Sequence, residues 1–344
     1  MPLPLFHFVL LVSKREVAQM KTYCTAIVNK ACAVATEIRE ITFTPQLPIE
    51  LFPGSHITFR IPTGAGDKAR SYSVVDFGGA SKDFTIAVKL EPISRGGSRF
   101  MHGLQAGDQV EIISIGNSLP LTLGAPAYLL IAGGIGITPI IGLASALMHV
   151  GSNVSLHYFT RSRAHTAYRE TLSALMGDKV VFNFADTDRP IDLPLIFNET
   201  SSDTIVYLCG PLGMIEAAKA AWDSLGRPPQ NLRYENFGSS GQFPNTNFSV
   251  TVAETGAIVN VAQDETLLEA LLRTNQKVMF GCQKGECGLC KVAVISESEI
   301  DHRDTFLGPH ERQSKDYMCA CVSRVVSGSA TLHLDGISHG PAPH

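Results

Sequence analysis

Gly281-Cys282-Gln283-Lys284-Gly285-Glu286-Cys287-Gly288-Leu289-Cys290 sets three cysteines in a C-x4-C-x2-C run toward the carboxyl end of the chain. Further on, Cys319 and Cys321 are both available to supply a fourth thiolate. That spacing suits a plant-type [2Fe–2S] cluster, which takes three ligands from one loop and the fourth from a distant segment. Gly281, Gly285 and Gly288 let the loop adopt conformations that a β-carbon disfavours. A structural zinc site is the competing reading, but zinc modules favour two short C-x2-4-C or H-x3-5-H pairs. Cysteines crowded into one loop of a large chain also make poor disulfide staples. The stretch predicts an electron carrier, so the remainder is read for what feeds it.

The chain has 344 residues, enough for two or three domains that each bury a core. Its 44% hydrophobic and 17% charged residues are ordinary for a soluble globular protein. A net charge of −4 gives no basic footprint for nucleic acid. The cysteines beyond the cluster set, including Cys24, Cys32 and Cys209, are expected as thiols in a reducing compartment, the cytoplasm. Leu3 to Val12 is apolar but falls short of the roughly 20 residues a bilayer span needs. No basic residue precedes it, so a signal peptide fits poorly. Residues 1–19 are expected to be a dispensable extension, with a weak membrane contact as the alternative.

From residue 20 to about 124, short strands separated by turns predict a small antiparallel β-barrel. Thr22–Val28, Thr36–Thr44, His56–Ile61, Arg70–Val75, Asp83–Leu90 and Gln109–Ile113 are the candidate strands. Arg70-Ser71-Tyr72-Ser73 packs a guanidinium, two hydroxyls and a ring into one span. Ser94-Arg95-Gly96-Gly97-Ser98-Arg99 follows the strand Ile86-Ala87-Val88-Lys89, and its glycines bring backbone N–H groups within reach of a phosphate. Each piece alone is an ordinary strand or turn; together they suggest a flavin phosphate site.

From about 125 to 228, strand and helix patterns alternate, which predicts a parallel α/β sheet. Ala127–Ala132, Val154–Thr160, Val180–Ala185 and Thr204–Cys209 read as strands, and Pro139–His149, Tyr168–Met176 and Met214–Leu225 as helices. Gly133-Gly134-Ile135-Gly136-Ile137-Thr138-Pro139 joins the first strand to its helix, an arrangement that presents free N–H groups and a helix dipole to an anion. Proline in the first helical turn loses nothing there. Cys209-Gly210-Pro211-Leu212-Gly213-Met214 lies at a carboxyl edge, where such sheets bind ligands. No acid ends the second strand; Thr160-Arg161-Ser162-Arg163 instead offers arginines that pair a 2′-phosphate or the pyrophosphate.

Residues 229–246 read as a linker, its Phe237–Pro244 part rich in Gly and Ser. Residues 247–344 then open with a hairpin, Phe248–Val252 and Ile258–Val261. A helix with Leu267, Leu268, Leu271 and Leu272 on one face follows, capped by Asp264. The tail from Ser338 is expected to be disordered.

Arg70-x-Tyr72-Ser73 and Arg95-Gly96-Gly97-Ser98 resemble the flavin motifs of the ferredoxin–NADP reductase superfamily. They are most similar to the branch of phthalate dioxygenase reductase and vanillate O-demethylase reductase. GGIGITP followed by CGPxxM resembles the pyridine-nucleotide half of that superfamily. The resemblance covers Met20 to about Leu334. It implies a multidomain fold: an FMN-binding barrel, an NAD-binding α/β domain and a plant-type ferredoxin (β-grasp) domain.

By that resemblance Arg70, Ser71, Tyr72, Ser73, Ala87, Val88, Lys89, Gly96, Gly97 and Ser98 hold FMN. Gly133, Gly134, Gly136, Thr138, Arg161, Gly210, Pro211 and Met214 serve the nucleotide, which the branch implies is NADH. Cys209 lies beside the nicotinamide, Thr138 reaches the flavin and Phe237 covers its ring. Met318-Cys319-Ala320-Cys321-Val322-Ser323-Arg324 resembles the branch's C-V-S-R ending, which gives Cys282, Cys287, Cys290 and Cys321 as the cluster ligands. Asp301-His302-Arg303-Asp304 also matches, with His302 expected to order a loop. Asn117-Ser118-Leu119-Pro120-Leu121 departs from the branch's N-x-F-P-L only at Leu119. The function implied is an NADH-dependent reductase of a two-component Rieske-type oxygenase, monomeric, with no membrane partner. A reductase for a cytochrome P450 or another acceptor is the alternative. No residue is expected to act as an acid or base.

Overall fold

The computed structural model describes residues 22–62, 67–76, 82–92, 96–188, 190–237, 241 and 243–334. Residues 1–19, the tail from Ser338, Ser94 and Arg95, and half of the 237–244 hinge lie outside them. The chain divides into two compact units, Met20–Glu235 and a second that contains Asn236–His344. Among the described residues, no helix is long and apolar enough to cross a membrane.

In the first unit, alternation of inward and outward residues builds six strands. These are β1 (Cys24–Ala35), β2 (Ile38–Pro45), β3 (Ser55–Ile61), β4 (Lys68–Asp76), β5 (Phe84–Lys89) and β6 (Gln109–Asn117). They close into a barrel in the order β1-β2-β5-β4-β3-β6, antiparallel throughout. Ile57, Phe59 and Ile61 alternate inward along β3. The rings of Phe43, Phe59 and Phe84 fill the centre, with Phe43 5.3 Å from Phe59 and 5.2 Å from Phe84. Closure, as the barrel expectation requires, leaves this sheet no free edge. A helix the sequence reading missed, α1 (Gly97–Gly103), starts directly from the Gly96-Gly97 turn.

The second half of this unit is a parallel sheet of order β11-β10-β7-β8-β9. Its strands are β7 (Tyr128–Gly133), β8 (Val154–Thr160), β9 (Val180–Phe184), β10 (Ile205–Cys209) and β11 (Leu232–Glu235). The helices α2 (Ile137–His149), α3 (Arg169–Met176), α4 (Leu193–Asn198) and α5 (Leu212–Ser224) lie between them in sequence. β11 falls inside the stretch read as linker and pairs in register with β10 from Val206↔Leu232 to Cys209↔Glu235. Four residues are too short a run to register as periodicity against the polar segment around them.

The second unit contains β12 (Phe248–Val252), β13 (Ile258–Val261), α6 (Leu267–Arg273), β14 (Lys291–Val294), β15 (Ile300–Asp301), α7 (Pro309–Ser314), β16 (Tyr317–Cys319), β17 (Arg324–Val325) and β18 (Ser329–His333). The sheet order is β13-β12-β18-β14-β16, with β12 and β18 parallel and the expected β12–β13 hairpin in place. Helix α6 buries Leu267, Leu268, Ala270 and Leu271. Its cap is Thr266, not Asp264: Thr266 Oγ1 accepts from Glu269 N–H at 3.1 Å, and Glu269 Oε2 accepts from Thr266 N–H at 2.9 Å. This reciprocal box satisfies two helix-end donors, which one aspartate further upstream cannot do.

Candidate functional site

The two flavin motifs meet. Gly96 has φ +94°, a left-handed conformation that glycine adopts freely, and it delivers Gly97 to the start of α1. Arg70 and Tyr72 lie so close to Gly97 that a Cβ there would sit 2.9 Å from the Tyr72 hydroxyl. Backbone N–H groups at a glycine turn beside a guanidinium match the chemistry of a flavin phosphate. Ser98 Oγ accepts from Glu91 N–H at 3.2 Å, and Ser71 Oγ shares a 2.8 Å hydrogen bond with Thr58 Oγ1. Ser73 is buried on β4. On β5 Ala87 and Val88 are both buried, Val88 in the barrel core, and the Val88 carbonyl is 2.8 Å from His102 Nε2. Lys89 Nζ pairs with Glu91 at 3.6 Å. Neither His102 nor Arg39, which donates to the His102 and Leu104 carbonyls, was singled out from the sequence.

The nucleotide motifs also meet, at the point where strand order turns back on either side of β7. β7 and β10 are parallel neighbours with Ala132 opposite Cys209, so both Gly-rich turns leave the same sheet edge. A Cβ on Gly136 would lie 2.2 Å from the Cys209 carbonyl oxygen, and one on Gly133 would lie 2.7 Å from Pro211 Cδ and 2.9 Å from Met214 Cε. Only glycine lets these backbones approach, and the approach leaves a cradle of N–H groups at the start of α2. Gly134 has φ +55°, and its carbonyl accepts from the Tyr158 hydroxyl at 3.1 Å. Burial pushes that phenol well above its ordinary pKa. Cys209 is fully buried, and the Thr138 hydroxyl donates to the Ile135 carbonyl at 3.0 Å. Arg161 is exposed beyond β8. Helix α2 packs on β4 as well as on its own sheet, and the Gly134–Gly136 turn touches β5. Flavin and nucleotide motifs therefore converge within one compact unit.

In the second unit the cluster loop is shaped by its glycines. Gly285 and Gly288 have φ +75° and +72°. A Cβ on Gly285 would lie 2.6 Å from Val322 Cγ2, and one on Gly288 2.2 Å from the Phe306 ring. Lys284 and Glu286 N–H groups donate to Cys282 Sγ, and Cys282 N–H to Cys287 Sγ, each at 3.4 Å. Backbone donors aimed at sulfur are what an anionic iron–sulfur cluster requires of its loop. Cys290 hydrogen-bonds first to Cys319 and then to Cys321, which draws its thiol down to about 4. The Cys319 and Cys321 thiols are raised, foremost by the same hydrogen bonds to Cys290 and next by burial. Contact with Cys290 is therefore common to both candidates for the fourth ligand. None of the eight cysteines forms a disulfide.

The Asp301–Asp304 segment braces this loop. Thr305 N–H donates to the Gly285 carbonyl at 2.9 Å, and Asp304 accepts from Leu307 N–H at 2.8 Å and from Ser323 Oγ at 3.0 Å. Arg303 is buried against Asp301 at 2.6 Å. His302 Nδ1 lies 3.7 Å from the Asp304 carboxylate. Asn236 is a further contributor that the sequence did not reveal: its side chain bridges the Lys284 and Arg303 carbonyls. Phe237 belongs to this unit by the division of the chain.

Two family profiles match, one described as a 2Fe-2S iron-sulfur cluster binding domain over residues 250–326, the other as an oxidoreductase NAD-binding domain over 130–220. Phenoxybenzoate dioxygenase subunit beta of Ectopseudomonas oleovorans is 36% identical over 285 residues, 82% of this chain and 87% of that one. Phthalate dioxygenase reductase of Burkholderia cepacia is 31% identical over 304 residues, 86% of this chain and 92% of its own length. Oxidoreductase NdmD of Pseudomonas putida is 36% identical over 294 residues, 83% of this chain, but the match spans about half, 49%, of that relative. Among solved structures, phthalate dioxygenase reductase, described as modular for electron transfer from pyridine nucleotides to [2Fe-2S], aligns with TM-score 0.74 and 28% identity, over 92% of this chain and 99% of that one. An intact type IV self-sufficient cytochrome P450 monooxygenase aligns with TM-score 0.62 and 32% identity, over 90% of this chain and 41% of that one.

Proposed function

This chain belongs to the phthalate dioxygenase reductase family, and on that premise we propose that it is the reductase component of a two-component Rieske-type oxygenase. It is an oxidoreductase whose cofactors are FMN, a [2Fe–2S] cluster and NADH. FMN supplies the conversion between the paired electrons of a hydride and the single electrons that an iron–sulfur cluster takes. The residues of the chain bind and orient. Arg70 and the Gly96-Gly97 turn hold the flavin phosphate, while Gly133, Gly134, Gly136 and Gly210 open the backbone cradle for pyrophosphate. Pro211 and Met214 wall that cradle, and Arg161 stands at its rim. Cys209 flanks the nicotinamide. Cys282, Cys287, Cys290 and Cys321 ligate the cluster. No side chain needs to move a proton.

The observation that carries this reading is the convergence of flavin and nucleotide motifs in one unit, ahead of a glycine-shaped cysteine loop in the next. The partner is a terminal oxygenase, and the chain works as a monomer in the cytoplasm. The test is reconstitution: NADH consumption coupled to substrate oxidation by a purified Rieske-type oxygenase. Rapid ferricyanide reduction without any coupled turnover, across several such oxygenases, would defeat the assignment of partner. A second reading, delivery to a cytochrome P450, is favoured by the likeness to the self-sufficient P450, whose chain carries a comparable segment. Coupled turnover with a P450 in place of the Rieske-type oxygenase would select it.

A further inference from the structure

β11 ends at Glu235, and the next residue, Asn236, is only 1% exposed. Its backbone N–H donates to Glu286 Oε1 at 2.7 Å. Its side-chain amide donates to the Lys284 carbonyl at 3.3 Å and to the Arg303 carbonyl at 3.1 Å. One residue thus ties the cluster loop to the segment that braces it. Glu286 is itself part of that loop: it precedes Cys287, and its own N–H donates to Cys282 Sγ at 3.4 Å. The result is a half-buried carboxylate on the cysteine loop, with its direction set by a buried donor.

A fixed negative charge in a partly desolvated loop disfavours the arrival of an electron beside it. The potential of an iron–sulfur cluster responds to net charge and to hydrogen bonds on its sulfurs, and Glu286 supplies one of each. We propose that Glu286, aimed by Asn236, sets the electron affinity of the cluster, lowering its potential so that electrons pass onward. Glu286 is a positioning and tuning residue, and the inference rests on the reading that Cys282, Cys287 and Cys290 hold a [2Fe–2S] cluster.

The experiment is a redox titration of the full chain, followed by visible absorption and by the EPR of the reduced cluster. Glu286→Gln keeps an acceptor for Asn236 and removes the charge. Its midpoint potential should rise, by up to about tenfold in the reduced-to-oxidised ratio at a fixed potential, or 59 mV for one electron. Glu286→Asp, which keeps the charge, should stay nearer the wild-type value. Asn236→Pro, which removes the backbone N–H that Glu286 accepts, should shift the potential in the wild-type background and much less in Glu286→Gln, because the two groups act together. An unchanged potential in Glu286→Gln, with iron content and EPR signal retained, would overturn the inference. So would equal shifts from Asn236→Pro in both backgrounds. Wild-type protein lacking two irons and a reduced-cluster signal would overturn the cluster reading itself, a distinct result.

Discussion

Arg70 on β4 and Gly97 at the start of α1 are in contact: a Cβ on Gly97 would lie 3.0 Å from Arg70 Cγ and 3.3 Å from its Cδ. The guanidinium owes its place to the missing side chain. Gly97→Ala should displace Arg70 and Tyr72 and weaken flavin binding by about tenfold, or 1.4 kcal/mol. Flavin retained through gel filtration would measure it; wild-type occupancy would show that the phosphate is held elsewhere. Cofactor released by heat should be FMN.

Gly136 meets backbone and not a flexible side chain, so its replacement is harsher. With a Cβ 2.2 Å from the Cys209 carbonyl, Gly136→Ala must push β10 and the cradle apart. Such overpacking costs roughly 1–3 kcal/mol. The variant should keep its flavin absorbance while the KM for NADH rises. A normal KM would mean that the nucleotide does not use this turn.

The gross organisation was legible because glycine and periodicity speak locally. Val154–Thr160, Phe248–Val252 and Ile258–Val261 coincide with β8, β12 and β13, and the glycines of three loops mark the three candidate sites. What escaped depends on partners far away in sequence. β11 is four residues made into a strand by β10. Asn236 is an ordinary polar residue until Glu286, 50 positions on, accepts from it. Helix α1 is short and begins where glycines suggested only a turn. The cap at Thr266 was misplaced by two residues because Asp264 also suits a cap, and only the reciprocal bond to Glu269 decides.

That cap gives a stability prediction independent of any cofactor. Thr266→Ala removes the acceptor for Glu269 N–H and should cost about 1 kcal/mol, within the usual range for a lost cap. Denaturant unfolding followed by the cluster's visible absorbance reads this unit alone. A midpoint equal to wild type would show that the box contributes nothing.

Cys319 and Cys321 both reach Cys290, so substitution must separate them. Cys321 carries the C-V-S-R context, while Cys319 is the last residue of β16 and sits opposite Lys291. Cys321→Ser should abolish or strongly alter the reduced-cluster EPR signal, and Cys319→Ser should leave it nearly intact. The reverse pattern would move the fourth ligand to Cys319.

The division of the chain after Glu235 allows the path of electrons to be cut. A chain ending at Glu235 retains the barrel and the complete five-stranded sheet with β11. It should still reduce ferricyanide with NADH, because both converging motif sets remain. It should reduce cytochrome c or a Rieske-type oxygenase poorly, because delivery of single electrons runs through the cysteine loop. Weak electron-transfer interfaces are small and charge-steered, so the intact chain's rate with its oxygenase should also fall as salt rises. Equal cytochrome c rates in the intact and shortened chains would place the exit at the flavin. The cysteine loop, with Glu286 and its Asn236 donor, would then lie off the path that electrons take.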